Sequence, residues 1–372
     1  MVVAGAVLSV PALVLAQDAP PPADPRVSLS GYVQPRYDHF SSNGDTTDKW
    51  FLRRAVLDVK ANLSSSWNGE LQLDAGPPSS SGDPLLVKDA VLRYTGWEPN
   101  GLTLTIGNQK MPFSLSSMQS ASRRSQVERP VTGSADYGAP GRSIGVRADG
   151  WHHTRKIHWA AALAASQVSP EPTLLSIHGI TESDADWNDG NTLVGRLEFH
   201  PFGEVSLSQG DLERKPMRVV FAAAAYRWTN DHDGPDQEDG DVEVRSMTGV
   251  EISGGLRGAG LSLDAEYQHI AADAADPLFG NGIYLAGQAV GNKGSLEAGY
   301  MLWRDRVEVT AALDAFDTDA FDEPWRRASI GMNWYVNGHA LKFSVMHRES
   351  FNASGVRGAR SHATYVQSHF AF

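Results

Sequence analysis

Apolar and polar residues alternate along most of the chain after Arg26, in short segments that end at turn-forming residues. The clearest segment is 261–268, in which the two faces carry, respectively, Leu261, Leu263, Ala265 and Tyr267, and Ser262, Asp264, Glu266 and Gln268. Side chains of a β-strand alternate between two faces, whereas those of an α-helix repeat about every 3.6 residues. The pattern therefore predicts β-strands with one apolar and one polar face.

About 16 such segments follow one another, centred near residues 33, 56, 71, 91, 105, 146, 161, 196, 222, 250, 265, 298, 311, 331, 345 and 367. Their connections alternate between short and long, and the long ones are 41–49, 76–84, 110–141, 168–190, 230–242, 271–292, 318–324 and 351–361. Connection 200–216 is the exception, because it is long where a short one is expected. Outer-membrane barrels have short periplasmic turns and long external loops. The sequence predicts an all-β, transmembrane antiparallel β-barrel of this kind, with both termini in the periplasm.

The N-terminus predicts export. Residues 2–15 are an apolar run, and Ala16 precedes a polar residue, as at a signal-peptidase site. We therefore expect a signal peptide over 1–16, a disordered Pro/Ala-rich leader over 17–25 and the barrel over 26–372. A buried N-terminal strand or helix is the alternative. After the N-terminus, no apolar stretch is long enough for a transmembrane helix.

The apolar faces need either lipid or a second protein layer to cover them, and the sequence offers no convincing amphipathic helix for that layer. Aromatic residues near the segment ends are typical of the girdles at a membrane surface: Trp50, Trp67, Trp97, Trp151, Trp303, Trp325 and Tyr335. The last segment alternates up to Phe372. A terminal aromatic residue on a closing strand is the signal that the outer-membrane assembly machinery reads. We expect this machinery and outer-membrane lipid to be partners.

Composition excludes several classes of function. The formal net charge of -12 argues against nucleic-acid binding, which requires a basic surface. The chain has no cysteine, so disulfides and thiolate sites are excluded. Acidic residues concentrate in 231–241, which predicts an external loop. Contact of this loop with divalent cations that bridge lipopolysaccharide remains open.

Two patterns suggest chemistry, and neither is convincing. Residues 141–145 match the G-x-S-x-G spacing of a hydrolase elbow, but that elbow requires a turn into a helix, and here strand alternation continues. His152, His153 and His158 lie close together, yet they fall at a predicted turn without a carboxylate at fixed spacing. We predict no catalytic residue, no metal site and no cofactor.

Several stretches resemble the phosphate- and polyphosphate-selective porin O/P family. Residues 30–37 (SGYVQPRY) look like its first strand, and 51–55 (FLRRA) with Val59-Lys60 look like its second. The most specific match is 107–115 (GNQKMPFSL) followed by 127–130 (VERP), where the family leaves strand five and folds its third loop into the pore. Residues 142–146 (RSIGV) are similar to the strand that follows. The resemblance is strongest over 30–150 and at the C-terminus.

The resemblance implies a sixteen-stranded homotrimeric porin with a basic lining that guides anions. At the constriction it points to Lys110, Arg123, Arg124 and Arg129, and we expect Arg123 and Arg124 to set a modest anion preference. A solvated surface pair is the alternative for these two arginines. Strand alternation places further basic residues on the inner wall: Arg36, Arg54, Lys60, Arg93, Arg147 and Arg196.

The predicted function is thus passive diffusion of small hydrophilic solutes across the outer membrane of a Gram-negative bacterium, with some preference for anions such as phosphate. Two alternatives remain open at this point. One is an outer-membrane barrel enzyme of the lipase type, and the other is a non-conducting structural or adhesin barrel.

Overall fold

The computed structural model of the chain describes residues 26–42, 44–76, 85–97, 101–171, 173–179, 188–231, 243–274, 276, 278–280, 282–303 and 306–372. The predicted signal peptide (1–16) and leader (17–25) lie outside these residues, as does nearly all of the acidic segment 231–241. Among the described residues, no helix combines the length and the apolar character needed to cross a membrane.

The described part of the chain is almost entirely β-structure. Its strands are β1 (Arg26–Ser42), β2 (Asp45–Asn62), β3 (Trp67–Asp74), β4 (Leu86–Trp97), β5 (Leu102–Lys110), β6 (Tyr137–Pro140), β7 (Arg142–Trp151), β8 (Ile157–Glu171), β9 (Leu174–His178), β10 (Asp189–Phe199), β11 (Arg218–Asn230), β12 (Val244–Gly258), β13 (Leu261–Ala274), β14 (Gln288–Trp303), β15 (Val307–Thr318), β16 (Trp325–Asn337), β17 (Leu341–Phe351) and β18 (Arg360–Ala371). The helical elements are short: α1 (Leu115–Met118) and the 3-10 turns Ala121–Arg123, Val131–Gly133 and Ala353–Gly355.

Sixteen of the described strands form a closed antiparallel ring, in which β1 pairs with both β2 and β18. β6 and β9 are not members of the ring, since β5 pairs with β7 and β8 pairs with β10. Each of the sixteen predicted segment centres falls inside one of the ring strands. The predicted antiparallel barrel is therefore confirmed.

The ring closes where the two ends of the chain meet. Gly31 donates a backbone hydrogen bond to Phe372 O at 3.1 Å, and Phe372 N donates to Gly31 O at 3.0 Å. A Cβ on Gly31 would lie 2.7 Å from the Phe372 ring and 2.4 Å from Val56 O. Only glycine therefore allows the terminal aromatic ring to lie over β1.

The two faces of the ring strands differ in chemistry, as the alternation predicts. Large apolar side chains on the outer face are more than half exposed, among them Leu193, Leu197, Ile252 and Leu313. The inner face of β13 buries Ser262, Asp264, Glu266 and Gln268. An exposed apolar belt around a barrel with a polar interior is the arrangement of membrane-spanning barrels.

Two connections differ from the predicted loops. Residues 41–49 were predicted as a long loop, but β1 and β2 remain paired up to Ser42 and Asp45. Within 168–190, β8 continues to Glu171, and β9 folds back along β8 and pairs in parallel with β6. The parallel pairing was not predictable from local pattern, because the partner of each short strand lies far away in the sequence.

Part of the barrel interior is packed with apolar side chains. We call the end with the 111–141 connection the loop end and the end with residues 63–66 the turn end. On the inner face of β8, Ala162 and Ala164 are buried against Phe113 and Ile177 in one hydrophobic cluster. Among the described residues, this apolar cluster fills the part of the interior between β8 and β15 near the loop end.

Candidate pore constriction

Loop 3, residues 111–141, connects β5 to β7 and runs inside the barrel. Pro112 lacks a backbone N–H and cannot extend the hydrogen-bond ladder of β5. Ser114 then caps α1, since its side chain accepts a hydrogen bond from Ser117 N at 3.1 Å. The chain therefore leaves the wall directly after β5 and turns inward, as the resemblance implies for the third loop.

Acidic side chains of the wall hold loop 3 in place. Five carboxylates on β12–β15 accept hydrogen bonds from the loop: Glu251 from Leu115 N (3.3 Å), Glu266 from Ser116 N (3.0 Å), Asp264 from Gln119 Nε2 (2.9 Å), Glu297 from Arg124 Nη2 (2.5 Å) and Glu308 from Ser125 Oγ (3.0 Å). Buried carboxylates require such partners, because an unpaired charge is costly away from water. The carboxylates of this half of the wall are thus hydrogen-bonded to the loop, and Glu297 is also charge-paired with Arg124.

The connection 200–217 supports loop 3 from the turn end. Gln209 N donates to Arg123 O at 2.9 Å, and Gln209 Oε1 accepts from Ser125 N at 2.8 Å. Its amide also donates to Asp264 and Glu297, both at 3.0 Å. This explains the one long connection that breaks the short-turn rule, since it folds into the barrel and contacts the loop.

Open space remains between loop 3 and the opposite wall. It forms two cavities, of about 280 and 430 Å³, which share Arg54, Ala121 and Arg129 as lining residues. Arg54 belongs to β2 and Arg129 to loop 3, so each side of the junction carries one guanidinium group. This junction is the candidate constriction of the pore.

The smaller space, which we call the arginine cavity, is strongly basic. Its charged lining comprises Arg53, Arg54, Arg124, Arg129, Arg327 and Arg348 against Glu128 and Asp136. Three of these charges are partly compensated, because Arg327 pairs with Asp314 (2.7 Å), Arg124 with Glu297 (2.5 Å) and Arg54 with Asp74 (3.2 Å). The remaining arginines give the cavity an excess of positive charge.

Two consecutive arginines reach this cavity because of a β-bulge. Gln34 of β1 pairs with Arg54, whereas Pro35 pairs with Leu52, so Arg53 is the extra residue on β2. Pro35 has no N–H to donate to the ladder, which favours a bulge at this point. Strict alternation would place Arg53 and Arg54 on opposite faces, but the bulge lets both line the cavity.

The larger space, the mixed-charge cavity, contains both signs. Its charged lining residues are Arg54, Lys60, Lys88, Lys110, Arg129 and Arg142 against Asp58, Glu70 and Asp89. Lys88 pairs with Asp74 at 2.6 Å, and Arg142 pairs with Asp89 at 3.0 Å. Cations still outnumber carboxylates here, although less than in the arginine cavity.

The residues proposed for the constriction lie at different places. Arg129 is at the junction and donates to Ser116 O and to Gln119 O. Arg124 lines the arginine cavity but is buried and paired with Glu297. Lys110 lines the mixed-charge cavity, and its ammonium group donates to three carbonyl groups at the end of α1. Arg123 is exposed and lines neither cavity.

The residues proposed for the inner wall fall into two groups, those that line a cavity and those that do not. Arg54 and Lys60 line the described cavities, whereas the other four residues do not line them and are engaged in ion pairs. These pairs are Arg36 with Asp38 and Glu128, Arg93 with Glu70, Arg147 with Asp149, and Arg196 with Glu198 and Glu251. Arg196 also donates to Phe113 O at 2.6 Å and therefore fixes loop 3 to the wall.

Sequence reasoning missed five basic lining residues: Arg53, Lys88, Arg142, Arg327 and Arg348. Arg53 was missed because the β-bulge changes the face on which its side chain lies. Arg327 and Arg348 lie on neighbouring strands, in β16 and β17, where Ser329 Oγ accepts a hydrogen bond from Arg348 at 3.0 Å. Alternation on these two strands could have placed them on the inner wall, whereas their proximity to loop 3 depends on ring closure.

The structure also shows where the two sequence patterns that suggested chemistry lie. Ser143 lies inside β7 and is buried, so it is not on an exposed strand-to-helix turn. His152 and His153 lie in the connection before β8, and His158 pairs with Glu198 at 3.5 Å. Among the described residues, no group of three histidine, aspartate or glutamate side chains has the arrangement of a metal site.

Solved structures share this architecture. OprB of Pseudomonas putida aligns with a TM-score of 0.64 and 10% identity, covering 93% of this chain and 94% of that one. An anion-selective porin from Comamonas acidovorans aligns with a TM-score of 0.57 and 12% identity, covering 94% of this chain and 100% of that one. The outer membrane channel DcaP of Acinetobacter baumannii aligns at 0.54 with 13% identity, covering 93% and 97%. At these identities the likeness concerns the fold.

Sequence comparison gives the family. Porin O of Pseudomonas aeruginosa is 24% identical over 169 residues, which are 44% of this chain and 34% of that protein. The chain thus matches about a third of the length of this curated relative. The family model for phosphate-selective porin O and P matches residues 32–234, more than half of the chain. On this match and on the sixteen-stranded ring with its inward third loop, the chain belongs to the phosphate-selective porin O and P family.

Proposed function

We propose that the protein is a passive outer-membrane porin that favours small anions. The observation that carries the proposal is the arginine cavity beside loop 3, where six arginines line one narrow space with two carboxylates. Fixed positive charge in a narrow, poorly hydrated passage raises the local anion concentration and opposes cations. No group in this passage needs to react for solutes to move through it, so we propose transport without catalysis.

The acidic composition of the chain is compatible with an anion preference. Much of the negative charge inside the barrel binds loop 3, through carboxylates such as Glu251, Glu297 and Glu308. These groups lie behind the loop as seen from the open side. A solute in the passage therefore meets the arginines at short range, whatever the net charge of the whole molecule.

Several further assignments belong to this proposal. We propose that residues 1–16 are removed on export, that both termini and the turn end face the periplasm, and that the porin is a homotrimer. Its other partners would be outer-membrane lipid, lipopolysaccharide and the assembly machinery that reads Phe372. Phosphate is a reasonable solute because the family is described as phosphate-selective, and oxyanions suit arginine pairs.

Ion selectivity in planar bilayers tests the proposal. We expect a reversal potential of the sign that anion selectivity gives in a potassium chloride gradient. Arg53→Gln combined with Arg54→Gln should lower the anion-to-cation permeability ratio roughly thirtyfold, since each charge within 4 Å of the ion path is worth about 1 kcal/mol even in water and about 1.4 kcal/mol corresponds to a factor of ten.

Arg147→Gln is the matched control, because Arg147 is also on the inner wall but lines neither described cavity. This control should leave the permeability ratio near the wild-type value. Cation selectivity of the wild type, or equal effects of the two sets of substitutions, would refute the assignment to the arginine cavity. Absence of step currents would refute the porin function.

A further inference from the structure

Glu128 is a carboxylate of loop 3 that lies inside the arginine cavity. Its Oε1 accepts a hydrogen bond from Arg36 Nη1 and lies 3.6 Å from Arg53 Nε. Arg348 lines the same cavity from β17. One carboxylate is thus surrounded by guanidinium groups from β1, β2 and β17.

The surroundings keep this carboxylate ionised. Burial acts to raise the pKa of Glu128, but the positive charges of Arg36, Arg53 and Arg348 outweigh it and bring the pKa to about 2. A carboxylate with three nearby guanidinium groups resembles a bound anion more than an acidic wall residue. Guanidinium groups match carboxylates well because they can donate two parallel hydrogen bonds.

The guanidinium groups of Arg36, Arg53 and Arg348 differ in how many partners they already have. Arg36 is buried and is also paired with Asp38. Its guanidinium carbon Cζ lies 4.6 Å from the centre of the Tyr365 ring, so the side chain is held in place by several contacts. Arg53 is a third exposed, and in the described part of the chain its ion pairing is limited to the 3.6 Å contact with Glu128. Arg348 donates through Nε to Ser329, which leaves further donors on its guanidinium group. Arg53 and Arg348 therefore have donors for a second carboxylate or for a replacement of the first.

We propose that Arg36, Arg53 and Arg348 form a carboxylate-binding site in the bore, and that the side chain of Glu128 is its resident ligand. Small organic acids that pass through the bore compete with Glu128 for these arginines. The site then sets which anions pass best, because a solute with a carboxylate group can replace the resident one. This inference rests on the proposed function, since solutes reach the site through the open bore.

Chemical rescue tests the site directly. Glu128→Ala removes the carboxylate and leaves a space of the size of a short carboxylic acid. We expect this variant to unfold in detergent at a lower temperature than the wild type, and sodium acetate to restore its stability in a saturable way. Sodium chloride at the same ionic strength should not do so, and acetate should not change the wild type comparably.

Asp136→Ala is the matched control, because Asp136 lines the same cavity and its carboxylate accepts a hydrogen bond from Ser134 rather than from an arginine. If the site is as proposed, acetate has no saturable effect on this control. Equal rescue of both variants would reduce Glu128 to a general counter-charge and would overturn the proposal. Rescue of Glu128→Ala by phosphate as efficient as by acetate would overturn the assignment to carboxylates.

Glu128→Gln provides a second test if the alanine variant does not fold, because it keeps the shape of the side chain. A tethered ligand acts at a high effective concentration, so its removal should let conductance in potassium acetate saturate at roughly tenfold lower concentration. An unchanged concentration dependence would contradict the proposal. The thermal readout does not require conduction, so failure of acetate rescue and failure of the porin function are observed separately.

Discussion

At the scale of single residues, the constriction depends on a proline that lines neither of its cavities. Pro35 cannot donate to the ladder between β1 and β2, and the resulting bulge turns both Arg53 and Arg54 toward loop 3. The alternation in the sequence identified Arg54 and could not identify Arg53, because a bulge changes the face of one residue without changing the pattern around it. The paired arginines of the site were thus only half predictable.

Arg196 was predicted to line the lumen, and its contacts instead suggest a structural task. It is buried between Glu198 and Glu251 and donates to Phe113 O in loop 3. We expect Arg196→Met to lower the free energy of unfolding by about 3–5 kcal/mol, because Glu251 is left as an unpaired buried charge. Urea denaturation in detergent, followed by tryptophan fluorescence, measures this loss.

Arg155→Met serves as the control for Arg196→Met, since Arg155 is mostly exposed and lies in a turn. It should leave the free energy of unfolding within about 0.5 kcal/mol of the wild type. An equally small effect of Arg196→Met would show that the carboxylates hold loop 3 without this arginine.

At the scale of elements, the sixteen ring strands were predictable and the elements inside the ring were not. A ring strand meets lipid on one side and the interior on the other, so its sequence alternates whatever its neighbours are. β6 and β9 have no such constant environment, since their paired residues are 37 and 38 positions apart in the chain and both strands pack on a shared apolar cluster. The anchoring of loop 3 by β12–β15 was invisible for the same reason. Its contacts join residues more than 100 positions apart, such as Ser116 and Glu266.

The closing strand gives a prediction about assembly. A side chain at position 31 would collide with the Phe372 ring and with Val56 O, at 2.7 and 2.4 Å from its first carbon. We expect Gly31→Val to reduce the yield of folded barrel strongly, because the terminal strand cannot take its register against β1. The fraction of protein that migrates as the compact form in unheated electrophoresis samples measures this yield.

Gly195→Val is the control for Gly31→Val, since a Cβ at this ring-strand position meets no atom within 4 Å. It should fold with nearly the wild-type yield. Similar yields for both variants would mean that the end of β18 adjusts its position around Gly31, and that the contact with Phe372 is not required.

At the scale of the whole molecule, a chain with a formal net charge of -12 encloses a passage with basic walls. The net charge predicted the absence of a basic outer surface and gave no information about the bore. Fixed charges close to the ion path act on a permeating ion more strongly than the more distant charges of the protein do.

Measurements at different ionic strengths separate the effect of charges beside the ion path from the effect of distant charges. The screening length falls from about 10 Å at 0.1 M salt to about 3 Å at 1 M. We therefore expect the anion preference to weaken between 0.1 and 1 M potassium chloride but not to vanish, since arginines at the junction lie beside the ion path. Reversal potentials at fixed concentration ratios give the measurement. A preference that disappears at 1 M would place the responsible charges at the mouth of the barrel, away from loop 3.

The apolar cluster between loop 3, β9 and the inner face of β8 also limits how much current one barrel can carry. A barrel of sixteen strands whose interior is partly filled conducts ions like a narrower tube. Its unitary conductance should then fall well below the value that its outer circumference suggests. We expect the narrow open space between loop 3 and the opposite wall to exclude bulky rigid solutes by size, whatever their charge.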